Sequence, residues 1–262
     1  MTFDPTIADV LAIIGGGLVG LTLGVVGGGG SILAVPLLIY VVGVSNPHVA
    51  IGTAALAVSV NAFANLIAHS RAGNVKWPCA IVFGVSGIAG AFVGSTLGKL
   101  VDGEKLLFLF ALVMVAVAIA MLRPRQAEGD PAVRITPAIA VRLVAIGLLT
   151  GLLAGFFGIG GGFLIVPGIM LGSGMAMLNA VGSSLFSVGV FGLTTATNYA
   201  MGGFIDWRIA GEFIGGGILG GFAGLALAQR LAAQKGVLNR VFAGVVLAVA
   251  AYMLWRSWDA FL

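Results

Sequence analysis

The chain has 262 residues, of which 60% are hydrophobic and 8% charged, with a net charge of +4 and a mean hydropathy of +1.14. A water-soluble domain carries roughly 25% charged residues, so the composition excludes one and points to an all-α polytopic membrane protein. The surplus of Lys and Arg suits loops that face anionic lipid, and no basic stretch is long enough to make nucleic acid an expected partner. A single cysteine, Cys79, excludes an intramolecular disulfide and leaves no cysteine metal cluster.

In chain order, Met1–Pro5 lacks the basic residues that open a signal peptide, so Ile7–Val26 is expected to be a permanent membrane segment. Apolar runs of about 20 residues, enough to cross ~30 Å of hydrocarbon, are predicted at 7–26 with a continuation at 32–44, then at 48–68, 79–98 and 105–122. A polar stretch, 123–136, contains Pro124, Pro131 and a cluster of charged residues and reads as a linker. Beyond it come 138–157 with 163–172, then 177–200, 209–229 and 237–255. The expected architecture is therefore about eight transmembrane helices in two homologous four-segment repeats, 1–122 and 137–262.

The repeat is clearest at two glycine runs. Gly27-Gly28-Gly29-Gly30-Ser31-Ile32-Leu33-Ala34-Val35-Pro36 returns 131 residues downstream as Gly158-Ile159-Gly160-Gly161-Gly162-Phe163-Leu164-Ile165-Val166-Pro167. Glycine disfavours helix by about 1 kcal/mol per residue relative to Ala, so each run is expected to open the helix. Opened backbone in a membrane is tolerated only inside protein or along a watery cavity, and a matched pair of breaks points to a transporter's binding site.

Other features repeat as well. Gly16, Gly20 and Gly24 correspond to Gly147, Gly151 and Gly155. At an offset of 130, Thr53 matches Ser183, Gly73 matches Gly203 and Trp77 matches Trp207, while Ser86, Gly90, Gly94 and Gly98 match Gly216, Gly220, Gly224 and Ala228. Such small-residue stripes let membrane helices pack backbone to backbone. Trp77, Trp207, Trp255 and Trp258 fall at segment ends, where an interfacial aromatic belt sits.

Two topologies compete. If each broken run crosses once, the repeats are parallel and the Lys and Arg residues divide 8 to 5 between inner and outer loops. If each run enters and returns, the repeats are inverted and the division is 9 to 4. The positive-inside rule favours inversion, which also brings the two breaks toward the midplane from opposite faces.

A helix restarting near Ile32 and another near Phe163 would each present unpaired N–H groups and a partial positive charge. Glycine lets those groups approach a ligand, so Gly27, Gly28, Gly29, Gly30 and Ser31 with Gly158, Gly160, Gly161 and Gly162 form a candidate anion site without basic side chains. Neither run carries the Lys of a nucleotide-binding loop. Pro36 and Pro167 interrupt the resumed helices and are candidate hinges. Neutral polar residues add candidate donors: Thr53, Asn61 and Asn65 in one segment, Ser183, Ser187, Thr194 and Asn198 in its counterpart. These residues could equally serve hydrogen bonding between helices. Glu212 and His69 are the candidates for proton coupling. No hydrolytic or metal-binding constellation is present in the sequence, so neither an enzyme nor a cofactor is expected.

The residues Gly27–Pro36 followed by Ala50-Ile51-Gly52-Thr53, and Gly158–Pro167 followed by Ala180-Val181-Gly182-Ser183-Ser184, resemble the TauE/SafE sulfite exporter family, also called the toluene-sulfonate uptake permeases. The resemblance spans about residues 8–256, and it adds Ser184 to the candidate site. It implies a multi-pass protein of a bacterial inner membrane that transports sulfite, sulfoacetate or other organosulfonates, by export. One departure is that Ser31 has Gly162 as its counterpart. A channel-like anion pore and a non-transporting sensor or assembly subunit are the alternatives. The packing stripes leave the oligomeric state open, a homodimer included.

Overall fold

The computed structural model describes residues 5–122, 129–130, 132–158, 162–230 and 235–256. Among them are ten helical elements: α1 (Pro5–Val26), α2 (Gly27–Val42), α3 (Pro47–Arg71), α4 (Trp77–Leu100), α5 (Gly103–Leu122), α6 (Pro137–Phe157), α7 (Gly162–Ser173), α8 (Met177–Ala200), α9 (Trp207–Arg230) and α10 (Lys235–Arg256). Ten elements stand where eight segments were expected because each glycine-broken run, expected as a segment with a continuation, contributes two. Among the described residues, five helices are long and apolar enough to cross a membrane: α1, α3, α4, α6 and α8.

Local chemistry sets the boundaries. Asn46 caps α3 by accepting from the His48 and Val49 N–H groups, with Pro47 at the first helical position. Thr136 caps α6 in the same way, ahead of Pro137. α6 ends at Gly158, whose φ of 68° is the left-handed conformation that closes a helix, and Gly27 at φ 71° occupies the same position after α1.

The glycines after Gly27 do not open the backbone as expected. Gly27–Leu33 winds as a 3₁₀ helix, so the first regular α turn is Ala34–Pro36 rather than one starting near Ile32. A wider π turn, Leu37–Val42, follows Pro36. Proline has no N–H to continue the ladder and its ring crowds the carbonyl four residues back, which accounts for the change of winding there. In the second half, α7 starts at Gly162 as a regular α-helix and carries Pro167 inside it.

Each broken run doubles back on itself. The Thr22 hydroxyl lies 3.3 Å from the Gly30 carbonyl, and Gly15 faces Leu37, so α2 runs antiparallel along α1. Gly168 faces Ile146 and Gly172 faces Leu143, so α7 returns along α6 in the same manner.

The glycine stripes pack backbone to backbone, and they do so across the two halves. Gly16 faces the Phe213 carbonyl, Gly20 that of Gly217, and Gly220 and Gly224 those of Gly17 and Leu21. α1 and α9 therefore lie side by side and run in the same direction. The matching pair is α4 with α6, where Gly151 faces Gly87, Gly155 faces Ala91, and Gly94 and Gly98 face Leu152 and Phe156. Between these pairs, α3 and α8 run antiparallel: Gly52 lies against Phe204, the Ser59 hydroxyl donates to the Gly189 carbonyl at 2.6 Å, and Gly182 lies against Asn74. α5 packs on α10.

Trp77 and Trp207 open α4 and α9 and Trp255 lies near the end of α10, all exposed, as the belt reading expects; Trp258 lies outside the described residues. Of the linker, Asp130 is held by the turn before α8, donating to the Gly174 carbonyl and accepting from the Ala176 N–H.

The contacts separate structural glycines from incidental ones. A Cβ on Gly216 or Gly220 would lie 1.9 Å from a backbone oxygen of α1, whereas Gly211 and Gly215 on the same helix have nothing within 4 Å. Alanine at Gly216 or Gly220 is expected to destabilise the protein by about 1–3 kcal/mol through overpacking. Alanine at Gly211 or Gly215 should be neutral or stabilising by up to about 1 kcal/mol. Thermal unfolding in detergent of the four single variants checks this contrast.

Candidate functional site

The two glycine turns meet. A Cβ on Gly28 would stand 2.7 Å from the Gly162 Cα, and one on Gly162 would stand 1.8 Å from the Gly28 carbonyl oxygen, so the two backbones are in direct contact. Only glycine permits that approach. Around the contact, Gly27 faces Val181 and Gly28 faces Val188 of α8, while Gly158 faces Ile51 of α3. Since 51 and 181 differ by the repeat offset of 130, each turn is plugged by the same position of the opposite half. The residues from Gly27 to Ser31 are buried, and the Ser31 hydroxyl donates to the Gly28 carbonyl at 2.9 Å. Gly160 and Gly161 lie outside the described residues.

The junction carries no charged side chain among the residues just named. Its donors are backbone N–H groups at the start of α7 and the hydroxyls beside it. Ser184 is fully buried on the face of α8 that carries Val181 and Val188, and its hydroxyl donates to the Val181 carbonyl at 2.7 Å. Ser187, also fully buried, has its hydroxyl without a partner and lies beside Gly84 of α4.

Asn61, Asn65 and His69 do share one face of α3, as their spacing predicts. Asn61 sits over Gly217 and Asn65 over Gly221 of α9, where the missing side chains leave room for the amides. Asn65 donates back to the Asn61 carbonyl at 2.9 Å, while both amide atoms of Asn61 lack a partner. At the offset of 130 the equivalent residues are Phe191, Thr195 and Tyr199, so the amides and the imidazole belong to one half only.

Other candidates are brought elsewhere. Thr53 accepts from the Asp206 N–H at 3.0 Å and Ser183 from the Lys76 N–H at 2.9 Å. These are the same bond at the same offset, and each pins the turn that leads into α9 or α4. Thr194 bonds within its own helix to the Val190 carbonyl. Asn198 is fully engaged by α4, donating to Ser95 and Thr96 and accepting from Lys99 at 2.6 Å. Glu212 pairs with Arg208, which also binds Asp9, near the start of α1 and α9. Asp9 lies eighteen positions before Gly27 along α1, about 27 Å of helix.

Two features escape a reading of the sequence. Lys99 counts there as a loop charge, yet its ammonium reaches the Asn198 carbonyl and amide oxygens and sits 6.0 Å from the centre of the Tyr199 ring. Tyr199 is completely buried with its hydroxyl unpartnered. Beside them an open cavity of about 760 Å³, lined by Asn46, His48, Lys99, Asp102 and Glu104, forms a polar mouth at the start of α3. The offset that relates His69 to Tyr199 was the available signal.

The fastening bonds give a prediction. Thr53→Val and Ser183→Ala should each cost about 1 kcal/mol, a drop of roughly 2–4 °C in Tm. Substrate KM, measured in vesicles, should not change for either variant, whereas a hydroxyl that touches substrate would alter it.

Comparison with known proteins places this architecture. The model of the family described as "Sulfite exporter TauE/SafE" matches residues 12–253. A probable membrane transporter protein of Xylella fastidiosa (strain Temecula1) is 54% identical over 259 residues, covering 97% of this chain and 98% of its own. A probable membrane transporter protein of Methanocaldococcus jannaschii is 30% identical, covering 76% of this chain and 72% of its own. The probable membrane transporter protein YunE of Bacillus subtilis is 25% identical, with 85% and 89% covered. No solved structure is significantly similar to the chain. With a family model matching almost its whole length, on a helical scaffold with five candidate spans, the chain belongs to the TauE/SafE sulfite exporter family of membrane transporters.

Proposed function

We propose that the protein is a secondary transporter that exports small sulfur-containing anions, sulfite, sulfoacetate or related organosulfonates, across a bacterial inner membrane. The observation that carries this reading is the direct contact of the two glycine turns at Gly28 and Gly162, each delivered by a helical hairpin from a different half. In the proposed arrangement the halves 1–122 and 137–262 are inverted repeats. Support comes from the antiparallel course of α3 and α8, the parallel course of α1 with α9 and α4 with α6, and the return of α2 and α7 along their partners. The 9 to 4 division of Lys and Arg supports the same orientation.

The site is uncharged, so an anion would be held by backbone N–H groups at the start of α7, by the glycine turn of α2 and by nearby hydroxyls. Because the turns touch, they must part to admit a ligand. Pro36 with the π turn after it, and Pro167 within α7, are the bends at which such a movement would be taken up. A set of neutral donors of this size favours a compact oxyanion over a bulky aromatic sulfonate. The family's description supplies the sulfur chemistry.

The test is flux of sulfite, sulfoacetate and sulfate in proteoliposomes. Wild type should show saturable flux and counterflow of a sulfur anion. Gly28→Ala, which crowds Gly162 and Val188, should lower that flux by roughly tenfold or more, about 1.4 kcal/mol. Gly215→Ala, which touches nothing, should leave it intact. A rate linear in substrate without counterflow would indicate a pore, and well-folded wild type moving none of the three anions would overturn the substrate class.

A further inference from the structure

His69 is 3% exposed, its ring faces the backbone of Gly24 on α1, and no side chain bonds either ring nitrogen. Gly24 stands one helical turn before the glycine turn at Gly27–Gly28. Eight residues back on the same face, about 12 Å of helix, Asn61 is fully buried with both amide atoms equally without partners. Asn65, between them on the same face, borders with Gly221 and the exposed Phe222 a small notch of about 10 Å³ that opens to the outer surface. Buried polar groups find partners as a rule. The two mark a polar lane on one face of α3, whose His69 end lies near the turn where an anion is proposed to bind.

The charges around this lane have one sign. On α3 itself Arg71 follows His69, and Lys76 precedes α4. The acids of the packed helices, Asp9 on α1 and Glu212 on α9, lie at the opposite end of both. α2 contributes no titratable group toward this end, and the counterpart of His69 on α8 is Tyr199 at the other end of the bundle. The protein thus supplies no counter-charge to the imidazole.

Resting on the transport reading above, we propose that His69 carries a proton together with the anion: the anion at the twin turns provides the missing counter-charge, and the imidazole takes up a proton when it arrives. Binding of either charge then strengthens binding of the other, since such coupling is reciprocal. The proton enters on one ring nitrogen and leaves from it when the anion departs, with no change in covalent bonds. Asn61 and Asn65 share the face of α3 that leads to it, and Glu212 takes no part.

The test uses sulfoacetate, which holds no exchangeable proton near neutrality, in vesicles containing a pH-sensitive dye. Wild-type flux should acidify the receiving side. His69→Gln should abolish that acidification and flatten the pH dependence of flux while counterflow persists, and Glu212→Gln should retain both wild-type behaviours. A His69→Gln protein that still moves protons with the anion overturns the proposal. A second measurement needs no transport. His48 and His69 are the only histidines, so in His48→Gln the remaining imidazole is read by nitrogen-15 NMR with sulfite, sulfoacetate or sulfate added at constant pH. Protonation of His69 on adding an anion is expected, and a ring indifferent to all three overturns the proton role. If wild-type vesicles move no anion, the transport reading falls, and this spectrum alone decides the fate of His69.

Discussion

Close approach of bare backbone is the constraint on which the structure depends. α1 lies on α9, and α4 on α6, with glycines of one helix set against carbonyl oxygens of the next at distances that no Cβ could occupy. Lipid tails are as apolar as any side chain here, so burial alone would not draw these helices together. Dispersion contacts along a matched stripe do so instead. The two stripes fix how the halves interlock, and the interlocking in turn brings the hairpins α1–α2 and α6–α7 to the same place. The contact of Gly28 with Gly162 is the same device used a third time, at the centre.

Much of this plan was legible in the sequence. The helix breaks fall at Gly27 and Gly158, the apolar segments occupy close to their expected positions, and the glycine stripes serve helix packing as their spacing implies. What the spacing does not encode is the partner. A row of small residues states that some backbone comes close, and it is silent on whether the neighbour belongs to the same half or the other. The winding of Gly27–Leu33 was illegible for a related reason. Glycine's weak preferences leave the choice between an open loop and a 3₁₀ turn to the surroundings, here Thr22, Val181 and Val188.

The candidate polar residues divided along the same line. Thr53 and Ser183 stood out because they repeat, and they repeat because they make the same bond to the same turn in each half. Asn61 and His69 are not repeated in kind, their copies at the offset being Phe191 and Tyr199, and they are among the buried groups left without a side-chain partner, as are Ser187, Thr195 and Tyr199. Lys99 illustrates the limit of reading charge by position: at the end of a helix it resembles any loop lysine, and only the third dimension folds it onto Asn198 and Tyr199.

The exchange of first helices between halves has a bearing on how the protein is made. α9 begins 181 residues after α1 ends. During synthesis, the glycine face of α1 therefore enters the bilayer long before its partner exists. The first half cannot reach its final packing as it emerges, and it waits with a strip of uncovered backbone turned to lipid or to whatever helix is nearby. The packing of α1 can therefore be completed only after the ninth helix has been made.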